Sequence, residues 1–314
     1  MTAPVPLRIG VHPGSQALFL AWHLGTADAA LAASGARAEW LEFSRGLDLP
    51  GLLASRRIEV GGSGALPLLL ALADGVELVL LGATAPRPAF AGILVRKGDP
   101  ARDLTDLIGR SIGVTLGSWQ EMFLALAAEH VGGTLADFTL VEGFSGREAL
   151  LAGRTDAWFA SGAALVAAER DPAVRLLPDL TPELATRGLW RGNRSYWFAD
   201  RSALRDKRGA IAALLEALRA TGAAVQADPE RTSAIFAAHH PRGDKARDWA
   251  EALSRLPWEV LPAIVPGIAE ELQAGADALL RAGRLSGPVT IAAALADPQT
   301  FETVLQPQRI PRKL

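Results

Sequence analysis

Between Leu7 and Phe198, short apolar runs of strand length alternate with stretches whose apolar residues recur at helical spacing. This alternation constrains the fold more than any other feature of the chain. Strand, helix and strand in succession predict parallel sheets covered by helices on both faces, an α/β architecture. Residues 7–11, 36–43, 58–62 and 76–83 read as a first series of strands, closed by the stiff segment Pro86-Arg87-Pro88. The pattern restarts at Gly92 with strands expected at 93–95, 112–116, 138–141, 155–159, 175–177 and 193–199. Helices are expected at 16–24, 47–55, 104–108, 119–130, 145–152 and 163–169, with 181–192 read as a loop. Beyond Asp206 helix dominates, over 206–227, 229–239, 246–255 and 264–282, with Gly283 as the stop.

Two strand series divided near residues 86–92 predict two α/β lobes, and in open sheets ligands collect at the carboxyl ends of strands, beside helix N-termini. The clearest unit is 110–130, RSIGVTLGSWQEMFLALAAEH, which reads as a buried strand, a turn at Gly117 and a helix. Ser118 is placed as N-cap and Glu121, three residues later, as its capping-box partner. The first turn of such a helix presents unpaired N–H groups and the positive end of its dipole, which is an anion site in outline. Most turns of this kind bind nothing, so repetition decides the matter. Four strand ends carry a small polar residue at the helix start, Ser15, Ser63, Ser118 and Ser161, and facing lobes would bring them to one cleft. Ser63 is placed to cap the helix that contains Pro67.

Composition removes several function classes. The chain has 314 residues, 49% of them apolar and 21% charged, with a formal net charge of −2. That balance argues against nucleic acid as the partner, since a phosphate-binding surface needs a basic excess. Only the tail at 308–314 is locally basic. With no cysteine there is no disulfide, thiolate nucleophile or Cys-based metal site. No HExxH is present and the histidines lack ligand spacing, so neither a metal nor a cofactor is expected. The longest apolar runs fall short of the ~18 residues of a membrane span. MTAPVPLRIG has neither the charged nor the apolar region of an export leader, so the expectation is a periplasmic protein whose leader was removed or is missing, or a cytoplasmic one if Met1 is the true start.

Several segments, in this order and at these spacings, resemble the substrate-binding proteins of ABC importers for aliphatic sulfonates, taurine and nitrate, a family that includes binders of thiamine-pyrimidine precursors. They are LRIGVHPG at the start, ILVRKGDPARDLTDLIGRSIGV at 93–114, GREALLAGRTDAWF at 146–159, Asn193-Arg194-Ser195-Tyr196, and ALRATGAAVQADPERTSAIFA at 217–237. The resemblance implies a periplasmic-binding-protein-like (type II) fold, two α/β lobes joined by a hinge, with a helical C-terminal tail. Lobe one would comprise residues 1–91 plus 196–314 and lobe two residues 92–195, with crossovers near 91–94 and 196–198. It implies a monomeric receptor without catalytic residues, its partners a small sulfonate-like organic anion and the membrane subunits of an ABC permease. Carried over by position, the ligand residues would be His12, Gly14, Ser15, Gly62, Ser63, Gly64, Gly117, Ser118, Trp119, Trp158 and Asn193.

Family members often carry an aromatic residue where Gly62 stands, an aspartate where Ala65 stands, and Asp-Pro where this chain has Ala160-Ser161-Gly162. Those departures predict a roomier pocket, less suited to an amine such as taurine and better suited to a bulkier or purely anionic ligand. Individual residues keep a second reading: His12 can donate to an anion or cap a turn, and Trp158 can touch ligand or fill core. Arg187, Arg191 and Arg194 can supply charge or lie solvated. The alternative function is a cytoplasmic enzyme on the same fold, a carbon–sulfur lyase or a pyrimidine-precursor enzyme using His12 as acid or base. The desulfinase of that kind depends on a cysteine, which this chain lacks.

Overall fold

A computed structural model describes residues 3–143, 146–240 and 243–295. Ser145, expected to open a helix, Pro241 and the basic tail at 308–314 lie outside the described residues. The first part of the chain forms β1 (Val5–Val11), α1 (Gln16–His23), α2 (Thr26–Ala33), β2 (Ala36–Glu42), α3 (Leu49–Ala54), β3 (Val60–Ser63), α4 (Ala65–Ala73) and β4 (Leu78–Thr84). The second forms β5 (Ala91–Arg96), β6 (Ser111–Val114), α5 (Trp119–His130), β7 (Thr139–Glu142), α6 (Gly146–Leu151), β8 (Ala157–Ser161), α7 (Ala163–Glu169), β9 (Val174–Leu176) and α8 (Thr181–Thr186). Then come β10 (Tyr196–Asp200), α9 (Arg201–Asp206), α10 (Arg208–Ala227), α11 (Pro229–His239), α12 (Ala246–Ser254), β11 (Val260–Pro262), α13 (Ile268–Arg281) and α14 (Ile291–Ala294).

The strands make two sheets, ordered β11-β4-β10-β3-β1-β2 and β7-β6-β8-β5-β9. The fold is thus α/β with two lobes, but the sheets are mixed where alternation alone predicts parallel ones. β1 pairs in parallel with β2 and β3, and β6 with β7 and β8. β10 runs antiparallel between β3 and β4, β11 antiparallel to β4, and β5 antiparallel to β8 and β9. The reason is topological: β5 and β10 are where the chain enters one sheet from the other, so each arrives from the cleft end and runs against its neighbours.

The crossovers fall a few residues earlier than expected. Residues 84–91 and 193–196 pass between the sheets side by side, with Thr84 N donating to Ser195 O at 2.9 Å and Arg87 N to Asn193 O at 3.0 Å. A paired two-strand connection of this kind is a hinge in form.

Local chemistry accounts for most boundaries. Gly25 at φ 72° turns the chain from α1 into α2, a helix the periodicity did not single out because it is short and alanine-rich. The helix expected at 104–108 is only the single turn Thr105–Leu107, and the expected loop at 181–192 holds α8. α10 is the one helix among the described residues long and apolar enough to cross a membrane, and half of it is buried here. Ile211, Leu214, Leu215 and Leu218 lie in the core, where α10 packs on α1 and α2. The tail does not stay with the first sheet. β11 and α14 lie on it, whereas α12 packs on α7 and α13 packs on α5. Gly275 of α13 faces Met122 of α5 so closely that an added Cβ would overlap its sulfur. Arg284 donates to the fully buried Glu121 carboxylate at 2.7 Å.

Candidate functional site

The carboxyl ends of β1 and β3 face those of β6 and β8, and a cavity of about 350 Å3 lies between them. From the first sheet it is lined by His12, Gly14 and Gln16, by the loop 44–47, and by Ser63, Gly64 and Pro67. From the second it is lined by residues 115–120, Glu142 and Ser161, and the crossover contributes Asn193 and Arg194. His240 and Trp249, at and after the end of α11, close one side.

Three helices of eight or more residues start on this cavity, α1, α4 and α5. Among the described residues, the amides of Gln16 and Ala17, of Gly64 and Ala65, and of Ser118 and Trp119 donate to no acceptor in the chain. Ser118 caps α5 as expected, its Oγ accepting from Gln120 N at 3.2 Å. Glu121 completes a different bond from the expected one. Its Oε1 accepts from Gly117 N at 2.6 Å, so that amide, read as an anion donor, is already engaged. Ser63 does not cap α4. Gly64 is the N-cap, and the Ser63 hydroxyl donates to Gly64 O at 2.9 Å, leaving the helix's first amides open.

Of the sequence-derived residues, His12, Gly14, Ser63, Gly64, Gly117, Ser118, Trp119 and Asn193 share this cavity, as does Ser161. Ser15, Gly62 and Trp158 do not line it. Ser15 is fully buried beneath β3, where a Cβ added to Gly62 would overlap its hydroxyl, so the two small residues pack against each other. Trp158 lies in a separate cluster with Leu94, Leu150 and Val174, its indole against Gly146 of α6. Side chains alternate along a strand, so its neighbour Phe159 faces the other way and meets Trp119 edge-on, with centroids 5.4 Å apart.

His12 acts as a brace. Gly14 N donates to its Nδ1 at 2.9 Å, which places the proton on Nε2, and that atom meets Ser44 O at 3.0 Å. Gln120 is a second brace, accepting from Thr115 N and donating to Phe159 O.

The charge of the site comes from residues that the sequence patterns did not single out or left ambiguous. Arg87, 3% exposed, donates to Gln16 Oε1 at 2.6 Å, to Ser195 Oγ at 3.0 Å and to Asn193 O, and no carboxylate pairs with it among the described residues. Burial pulls its pKa down to about 9, which leaves it charged at neutral pH. Arg194 donates to Thr84 O at 2.9 Å and pairs with Glu271 of α13, which also takes Arg191. Of these charged groups Arg194 alone lines the cavity, with Glu271 and Arg191 beyond it, whereas Arg87 lines a neighbouring cavity, and Arg45 and Glu142 oppose each other in charge on the lining. Arg187, the remaining arginine of that segment, instead meets His130 at 3.0 Å. Two polar atoms at the cavity are buried without a partner, Asn193 Oδ1 and Trp249 Nε1. No group of three or more His, Asp or Glu side chains could hold a metal among the described residues. Such a pocket offers amide and indole donors to an anion in a positive field, with apolar walls for its organic part.

A family model described as NMT1/THI5 like matches residues 34–232. A protein of Escherichia coli (strain K12) named "Putative aliphatic sulfonates-binding protein" is 29% identical over 197 residues, 62% of this chain. The matched stretch spans 61% of that relative's own length. The crystal structure of the periplasmic aliphatic sulphonate binding protein SsuA from Escherichia coli superimposes with a TM-score of 0.79 at 25% identity, covering 99% of this chain and 97% of that one. The alkanesulfonate-binding protein SsuA from Xanthomonas axonopodis pv. citri, bound to MOPS, superimposes with a TM-score of 0.76 at 24% identity, covering 94% and 99%.

Proposed function

The chain belongs to the NMT1/THI5-like family, and from that premise we propose that it is the solute-binding receptor of an ABC import system for an organosulfonate or similar small organic anion. One observation carries the reading: helix N-termini from both lobes present open amides to one cavity lined by Arg45 and Arg194 against the single carboxylate Glu142. A sulfonate has three oxygens to accept such bonds and stays ionised at any physiological pH, so fixed donors suit it without a titrating partner. The names of the matched relatives point the same way.

Gly14, Ser63, Gly64, Ser118, Trp119 and Asn193 are the proposed ligand contacts, with His12 bracing the turn at Gly14 and the amides of Ser118 and Trp119 replacing that of Gly117. In this reading the first sheet moves against the second, which carries α12 and α13 with it, about the paired crossovers, and closing on ligand presents the receptor to the permease in the periplasm. Leu47 of the first lobe lies over Gly117 of the second, the contact expected of a closed form.

Calorimetry against methanesulfonate, benzenesulfonate, nitrate and pyrimidine precursors tests the proposal. Micromolar or tighter binding of a sulfonate is expected, and no binding at millimolar ligand would overturn it. The enzymatic alternative has less support: both His12 ring nitrogens meet backbone atoms, and the chain has no cysteine to attack a sulfinate.

A further inference from the structure

A second cavity of about 220 Å3 lies on the far side of Trp119. Its walls are mainly apolar, formed by Ile93, Phe123, Phe159, Leu165, Leu180 and Trp190, with Arg87 and Asp179 also on the lining. Trp119 and Asn193 line both cavities and so stand between them. The indole is half-buried and lies parallel to Trp190, with centroids 5.9 Å apart and planes 16° from each other. Asn193 Oδ1 has no hydrogen-bond partner, so no bond from its carbonyl oxygen holds it in place. At one edge the Glu169–Arg255 pair ties α7 to the segment after α12.

An apolar cavity of about 150 Å3 already admits a benzene ring, and this one is larger and walled by aromatic faces and edges that suit an arene.

Building on the receptor reading above, we propose that the ligand is an arenesulfonate, or one with an equally bulky apolar group, whose sulfonate meets the helix N-termini while its ring passes Trp119 into the second cavity. Trp119 is then the specificity-determining residue, a wall for a small ligand and a stacking partner for a large one.

The test is calorimetry on the full chain with methanesulfonate, benzenesulfonate and naphthalene-2-sulfonate. Two variants fill the second cavity from half-buried positions, Leu180→Trp and Ile93→Phe, so that one remains if the other fails to fold; thermal melting verifies each. Burying a ring predicts benzenesulfonate binding about 100-fold tighter than methanesulfonate in the parent chain. The filled variants should lose about 30-fold for the aryl ligands and stay within about twofold of the parent for methanesulfonate, which does not reach the filled volume. Equal affinities for aryl and methyl ligands, or an equal loss of both in the variants, would overturn the second-cavity assignment and leave the sulfonate reading standing. Binding of no sulfonate at all would overturn both.

Discussion

Replacing Gly117 by alanine separates two costs that the structure assigns to different states of the protein. Gly117 sits at φ 73°, where an L-residue is strained by roughly 1–2 kcal/mol, and that strain is present whether the lobes are open or closed. The added methyl would also overlap Leu47, which reaches it from the opposite lobe, and that overlap exists only when the lobes meet. Overpacking of this kind costs about 1–3 kcal/mol, and Leu47, 41% exposed, can yield, which places the cost at the lower end. The expected result is a loss of about tenfold in sulfonate affinity, equivalent to ~1.4 kcal/mol, together with a lower unliganded melting temperature. Adding Leu47→Ala should restore most of the affinity while leaving the melting temperature low, because the methyl clash is gone and the backbone strain is not. Calorimetry and thermal melting on the two single variants and the double variant give all the needed values. If Gly117→Ala binds as well as the parent, or the double variant binds no better than the single, the contact between Leu47 and Gly117 does not belong to the ligand-bound state.

Three further outcomes follow from the charge and packing of the site. Arg87→Met removes a buried cation close to the cavity and should weaken anion binding by about tenfold at low and high salt alike, because salt screens a buried charge little; unchanged affinity in a titration from low to high salt would refute it. Glu271→Gln leaves Arg194 buried and unpaired and should cost about 3–5 kcal/mol in denaturant unfolding, as breaking one side of a buried pair does, while tightening anion binding. His23 packs on Phe19 and Trp22 and stacks on His239 at 4.1 Å, and burial, then that second histidine, holds its pKa below the usual 6.5. The unfolded chain therefore takes up this proton at a higher pH than the folded one, so stability is lost as pH falls from 6.5 through the folded value. His23→Phe should flatten the fall in melting temperature over that window, and an unchanged slope would refute the assignment.

The strand–Gly-Ser–helix unit ending in α5 was legible because each of its signals is local. Gly117 takes positive φ, Ser118 caps through a bond two residues long, and apolar spacing carries the helix to His130. The helix Pro229–His239 was legible for the same reason, with Asp228 capping it ahead of a proline at its first position. Ser63 misled because two candidate caps stand side by side, and the pairing of Ser63 with Tyr196 keeps Ser63 in the strand and hands the cap to Gly64. Trp158 misled because both faces of β8 are apolar, so period-two alternation does not tell which face meets the cleft.

From the sequence alone came the α/β alternation, the two strand series, the absence of thiol chemistry and most of the strand ends where an anion can be held. All of these depend on residues within a few positions of each other. Only the folded chain decides that β5 and β10 run against their neighbours, that α12 and α13 cross to the second sheet, and that Arg194, Trp249 and the loop at 44–47 line the cavity. Those facts join groups far apart in the chain, such as Arg87 with Ser195 and Glu121 with Arg284. Burial and charge pairing at that range are set by which surfaces meet, a property that no local pattern of residue types encodes.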